Sequence, residues 1–157
     1  MDEIIISEDL VLVNETVQSS EEIIRKLGKL LLEEKYVKDS FVEAVLDREK
    51  IFPTGLQTTT IGFAIPHTDA EHVLKSTVAI ATLKSPVTFM AMGSPEDEIS
   101  VSIVMMLAIS DPKKVIDTLT KVISILQNEA TIDELINATT NIEIQGAFNE
   151  HMRNISD

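Results

Sequence analysis

The chain contains no cysteine, only five glycines and five prolines, and aromatic residues at just 4% of its positions. The missing thiols exclude disulfides, thiolate zinc sites and cysteine nucleophiles. The scarcity of aromatic rings leaves the core to Ile, Leu, Val, Met and Ala. At 44% apolar residues over 157 positions, that supply suffices for a sizeable core without staples. No glycine-rich cradle of the Walker type is present, which argues against a nucleotide as phosphoryl source. No Gly-x-Ser-x-Gly elbow is present either, so serine-hydrolase chemistry has no support. The first residues lack a basic segment followed by an apolar run, so no secretory signal is expected. No apolar run reaches membrane-spanning length, which predicts a soluble chain with no membrane insertion. With cysteine absent, a reducing, cytoplasmic location fits.

Basic charge is the other shortage. There are 13 basic residues against 26 acidic ones, a net charge of −13. Such a surface repels phosphate backbones and anionic lipid heads, so nucleic acid is excluded as a natural partner. It suits a basic protein partner, although many cytosolic proteins are equally acidic.

Length predicts one domain over residues 1–157, with a core over about residues 5–145. Residues 10–13 predict a short strand. A helix is predicted from Ser20 to Lys35, where Ser19 and Glu22 have capping-box spacing and Ile23, Leu27, Leu30 and Leu31 share a face. A second is predicted from Ser40 to Arg48, with Ser40 and Glu43 at the same spacing and Phe41, Val42, Val45 and Leu46 inward. Residues 52–60, with proline, glycine and four threonines, read as a loop. Next come a strand ending at His67, a turn over 68–72, a strand over 76–83, an edge strand over 87–89 and a turn over 93–97. Ser100 to Ile109 is apolar almost throughout and predicts a central strand covered on both faces. Asp111 and Pro112 open a helix with Val115, Ile116, Leu119, Val122, Ile123 and Leu126 toward the core. A shorter helix is predicted near Ile132 to Ala138, and residues 140–157 carry weak signals. The alternation predicts an α/β three-layer sandwich, a mixed central sheet flanked by helices on both faces.

The run Gly62-Phe63-Ala64-Ile65-Pro66-His67 delivers one histidine to a strand end. Pro66 has no N–H with which to continue a ladder, and strand ends are where open α/β sheets put reactive groups. A neutral imidazole there can act as base, nucleophile or ligand. Arg48 closes a helix upstream, Thr54 lies in the threonine-rich loop, and Lys114 lies in the first turn after the central strand. If the strands reaching His67 and Ile109 are neighbours, these groups converge, and all but the imidazole attract anions. That set fits a phosphoryl group better than a metal. His67 and His72 are five apart beside a proline, and His151 stands far off in a weakly structured tail. The chemistry left is phosphorylation of the histidine itself, with cations and N–H donors stabilising the equatorial oxygens and no cofactor required. On the residues alone, a partly buried turn histidine is the simpler reading of His67. Arg48 also reads as an ordinary helix-end cation, Lys114 as a solvated residue, Thr54 as a loop hydroxyl and His72 as a turn residue.

The combination of Arg48-Glu49, Pro53-Thr54-Gly55-Leu56 and Gly62-Phe63-Ala64-Ile65-Pro66-His67 resembles enzyme IIA of the fructose–mannitol type from the bacterial sugar phosphotransferase system. Thr68-Asp69-Ala70-Glu71-His72-Val73, Pro86-Val87-Thr88-Phe89 and Met92-Gly93 look most like its galactitol-specific branch. The resemblance spans roughly residues 5–145. It implies a relay in which the phosphocarrier HPr donates to His67 and a cysteine of a IIB protein accepts. The membrane component IIC then acts downstream on the sugar. The resemblance places the active-site histidine on His67 and the site arginine on Arg48. Mannitol members carry a second histidine where this chain has Lys114, which would take over its charge-stabilising role; His72 is a further candidate. Because this sequence lacks cysteine, the IIB acceptor is expected on a separate polypeptide. A regulatory IIA-like module of the nitrogen-related type, acting by phosphorylation-dependent binding, is the alternative.

Overall fold

Hydrophobic patterning separates two strand types in this chain, those alternating in burial and those buried throughout. A computed structural model describes residue 4 and residues 6–155. Among the described residues, five strands form one sheet: β1 (Val11–Glu15), β2 (Gly55–Gln57), β3 (Gly62–Ala64), β4 (Thr77–Ala91) and β5 (Ser94–Ala108). Five α-helices accompany it there: α1 (Ser20–Glu33), α2 (Phe41–Ile51), α3 (Val115–Leu126), α4 (Glu129–Asn137) and α5 (Asn141–Ile155). β4 and β5 form a long antiparallel hairpin in which Ala91 pairs with Ser94. Gly93 turns it at a φ of 78°, which glycine adopts without a Cβ clash. β1 runs parallel to β4, and β3 runs parallel to β5 with Ala64 opposite Val104. β2 pairs antiparallel with β3 and touches the far end of β4 at Gly55–Ala91.

The sheet has a core on each face, because successive residues of β4 and β5 point to opposite sides. Ala79, Ala81, Val104 and Met106 meet Leu27 and Leu31 of α1 and Phe41 and Val45 of α2. Val78, Ile80, Met105 and Leu107 meet Val122, Leu126, Leu135 and Phe148 of α3, α4 and α5. This is the expected three-layer mixed α/β arrangement. It explains why the second half of β5 is apolar without alternation: it is covered on both sides. On the first face the small residue Gly28 lets α1 approach α2 closely; a Cβ there would collide with Val42.

Several expectations change. The threonine-rich segment is not wholly a loop, since Gly55–Gln57 pairs with Gly62–Ala64. Three residues are too few for periodicity to register. The strands expected over 76–83 and 87–89 are one strand, β4, whose pairing register shifts between Thr82 and Val87. Exposed Lys84, Ser85 and Pro86 mask that continuity in the sequence. The 93–97 turn shrinks to Met92-Gly93, because the polar residues from Ser94 onward already belong to β5. Ser19 caps α1 as expected, accepting from the Glu22 N–H at 3.1 Å. Ser40 does not cap α2; its hydroxyl bonds Nδ1 of His72 at 2.8 Å, while Glu43 pairs with Arg25. Ile116 is 77% exposed instead of facing the core, and Thr118 and Ile125 are buried in α3 instead. Residues 141–155, silent in the sequence, form α5, with Ile144, Phe148 and Met152 in the core.

Candidate active site

β3 and β5 are parallel neighbours, so the chain leaving β3 reaches the same sheet edge as the end of β5. The Leu107 N–H donates to the Pro66 carbonyl at 3.0 Å and holds the strand end there. His67 follows immediately. It is 9% exposed, more sunken than a histidine simply meeting solvent. Its Nδ1 lies 2.9 Å from the Ile65 carbonyl oxygen. A carbonyl only accepts, so Nδ1 carries the proton and Nε2 carries the lone pair. Burial holds the imidazole below its ordinary pKa, and the Arg48 charge acts in the same direction; the Ile65 bond and Asp69 oppose them. The ring is thus neutral, with the proton on Nδ1 and the lone pair on Nε2.

Arg48 stands in the last turn of α2. Its guanidinium lies 5.2 Å from the Phe52 ring centroid and 3.9 Å from Asp69, too long for a strong ion pair. Its Nε is buried and has no hydrogen-bond partner. An orphaned buried donor is costly unless something fills it. A phosphoryl oxygen beside His67 is the type of group that would. Arg48 also borders an open groove with Asp47, Phe52, Asp69 and His72, of about 490 Å³. Ile51 and Phe52, at 67% and 60% exposed, form an apolar lip on it.

Thr54 lies behind the site and is 3% exposed. Its N–H and its hydroxyl both donate to Glu49, at 2.8 and 3.0 Å. The same hydroxyl oxygen accepts from the Ile65 N–H at 3.2 Å. Its proton is committed, so Thr54 supports the loop and has none left for the phosphate hydrogen bond expected of it. Glu49 itself borders a separate cleft with Ile24, Leu46 and Phe89. Burial there pushes its carboxyl up to about 7, against the lowering pull of the two Thr54 bonds.

The other expected groups are less tightly gathered. His72 lies across the groove in a short 3-10 turn, bonded to Ser40, with Glu71 3.9 Å from its Nε2. Lys114, half-exposed, ends the 3-10 turn after β5, which Asp111 caps by accepting from the Lys113 N–H at 3.0 Å. Two residues near the centre were missed as site members. Asp69 offers no signal beyond its nearness to His67. Glu49 was quoted only as part of a motif, and its five-residue spacing to Thr54 across a helix end was the available clue.

Comparison with known proteins bears on this geometry. Residues 4–151 match the family described as the phosphoenolpyruvate-dependent sugar phosphotransferase system, EIIA 2. The galactitol-specific EIIA component of Escherichia coli (strain K12) is 27% identical over 115 residues, which are 73% of this chain and 76% of that protein. The mannitol-specific enzyme IIA component of Staphylococcus aureus (strain MRSA252) is 29% identical over 147 residues, 92% of this chain and 94% of that one. The Escherichia coli IIAMTL solved in complex with phosphorylated IIBMTL superposes with a TM-score of 0.77 at 28% identity, covering 92% of this chain and 97% of that one. A buried, neutral imidazole under the influence of an arginine whose Nε has no partner, on this sheet, is therefore found in a member of the EIIA 2 family, a phosphotransferase component of sugar uptake.

Proposed function

We propose that His67 is the residue that takes up and passes on the phosphoryl group. The observation that carries this is the Nδ1–H bond to Ile65, which leaves Nε2 unprotonated, on a ring that feels the charge of Arg48. In the first step the Nε2 lone pair attacks phosphorus in line. A P–N bond forms to His67 as the P–N bond to the donor histidine of phospho-HPr breaks, and that imidazole takes the electron pair. In the second step a cysteine thiolate of a separate IIB protein attacks the same phosphorus, and Nε2 recovers its pair. The transition state spreads charge over three equatorial oxygens, and Arg48 stabilises that charge in this reading. Lys114 adds positive charge to the loop after β5 in this scheme, and His72 lines the groove. IIC in the membrane completes sugar uptake.

The groove offers Glu43, Asp47 and Asp69 beside the apolar lip of Ile51 and Phe52. Together with a net charge of −13, this suits a basic phosphocarrier face steered in by charge. The sugar is galactitol or a related polyol. The residues after His67 and the presence of Lys114 instead of a second histidine support the galactitol branch.

The test is incubation with phosphoenolpyruvate, enzyme I and HPr. The expected product is an acid-labile, base-stable phosphate, absent from His67→Ala. No label, or a label that survives that substitution, overturns the assignment. Onward transfer to a galactitol IIB and not to a mannitol IIB identifies the branch.

A further inference from the structure

Four hydrogen bonds connect the end of α2 to the imidazole, and they point in one consistent direction. The Glu49 carboxylate accepts from the Thr54 N–H at 2.8 Å and from the Thr54 hydroxyl at 3.0 Å. With its proton given away, the Thr54 oxygen presents lone pairs to the Ile65 N–H, which donates at 3.2 Å. The carbonyl of that same Ile65 accepts the Nδ1 proton of His67 at 2.9 Å. Thr54 and Ile65 are both buried, at 3% and 0% exposed. The series is thus shielded from water that would otherwise substitute for a lost partner.

We propose that Glu49 is a positioning residue for His67, fixing its ring orientation and tautomer through Thr54 and Ile65. The carboxylate is the only acceptor in the series that can take both Thr54 donors at once, one on each oxygen. It ties the loop after α2 to the helix end and sets the direction of the Thr54 hydroxyl. Ile65 follows β3 directly and precedes a proline that has no N–H, so its own N–H gives this strand end a second hold besides the Leu107 bond to Pro66. A slack Ile65 would let its carbonyl drift from Nδ1. The imidazole would then be free to exchange tautomers and to place a proton on Nε2, where the phosphoryl group must arrive. Outer partners that orient a reacting imidazole typically matter by 10–100-fold. The same helix turn divides the labour, with Arg48 toward the groove and Glu49 toward the core.

This inference rests on His67 being the reacting group, but its test does not require phosphotransfer. Long-range proton–nitrogen NMR on the unphosphorylated protein reads the His67 tautomer and its titration directly. The wild type is expected to show a single Nδ1–H form. Glu49→Ala is expected to show mixed tautomers, a His67 titration moved downward as the Ile65 bond is lost, and transfer from phospho-HPr slowed about 10–100-fold. Glu49→Gln, which keeps one acceptor for Thr54, is expected to fall between. If Glu49→Ala fails to fold, Thr54→Val and Thr54→Ser make the same comparison, the first breaking the link and the second restoring it. A folded Glu49→Ala or Thr54→Val protein with the wild-type tautomer and titration overturns the proposal while leaving the relay assignment intact. Loss of transfer with an unchanged ring also overturns it.

Discussion

At the scale of the residue, the decisive quantity is the protonation of one nitrogen. Burial and Arg48 hold His67 below its ordinary pKa of 6.5, so its neutral form persists into mildly acidic solution. Its folded pKa is depressed, so its contribution to stability is present above 6.5 and is lost as pH falls below it. Glu49 behaves in the opposite sense. Its carboxyl is pushed from 4.5 to about 7, so its contribution is present in full below 4.5 and is lost as pH rises toward 7. Glu21 and Lys50 border the same cleft; Thr88, Phe89 and Met90 of β4 add no charge. Glu49→Gln is therefore expected to remove the fall in stability between pH 4.5 and 7, as measured by denaturant unfolding across that range. An unchanged slope would show that Glu49 is ionised throughout. Arg48→Ala is expected to slow phosphoryl transfer by about 10²-fold, the usual cost of one lost donor to a developing oxyanion. Its fold should persist, since the Arg48 Nε holds no partner in the protein; equal transfer rates would remove Arg48 from the site. His67 and Arg48 were legible in the sequence as candidates because a strand-stopping proline and a helix end mark them. Glu49 was not, because a carboxylate in the last turn of a helix normally reads as solvated. Only the fold shows it buried against Thr54.

At the scale of the element, legibility followed length and period. α1, with its capping box and apolar stripe, was readable within two residues, and the continuous apolar run of β5 located the strand beside His67. β2 was not readable, since three residues cannot display an alternation. Nor was α5, for a physical reason. Its hold on the molecule includes Asn149, a polar residue whose side chain bonds the Ile6 N–H at 2.9 Å and the Ile6 carbonyl at 3.1 Å. No sequence pattern links partners 143 positions apart. Phe148→Ala should cost about 3–5 kcal/mol, because the ring is fully buried in the second core. Asn149→Ala should cost about 1–3 kcal/mol through the stranded Ile6 N–H, since Gln145 still donates to the Ile6 carbonyl at 3.1 Å. Thermal and denaturant unfolding check both, and wild-type stability in either would mean that α5 is only loosely docked. Ser40 illustrates the converse error: its capping spacing is correct, but the hydroxyl finds His72 across space first.

At the scale of the whole molecule, the charge imbalance governs encounter. With a net charge of −13 and an acidic groove beside the site, docking to a basic carrier should be fast at low salt. Raising ionic strength from about 10 mM to 150 mM shortens the screening length from about 30 to 8 Å. The association rate with phospho-HPr is expected to fall severalfold over that range in stopped-flow measurements. A salt-independent rate would assign docking to the apolar lip alone. The mixed sheet places the loops after α2, β3 and β5 at one edge, where the proposed relay needs residues distant in sequence to meet.

All three scales meet at the Nε2 atom of His67. Phosphorus–nitrogen coupling in NMR of the phosphorylated, nitrogen-labelled protein reports that atom most directly. The account predicts phosphorus bonded to Nε2 of His67 with Nδ1 still protonated against Ile65. Phosphorus on Nδ1, or on any other residue, would contradict it.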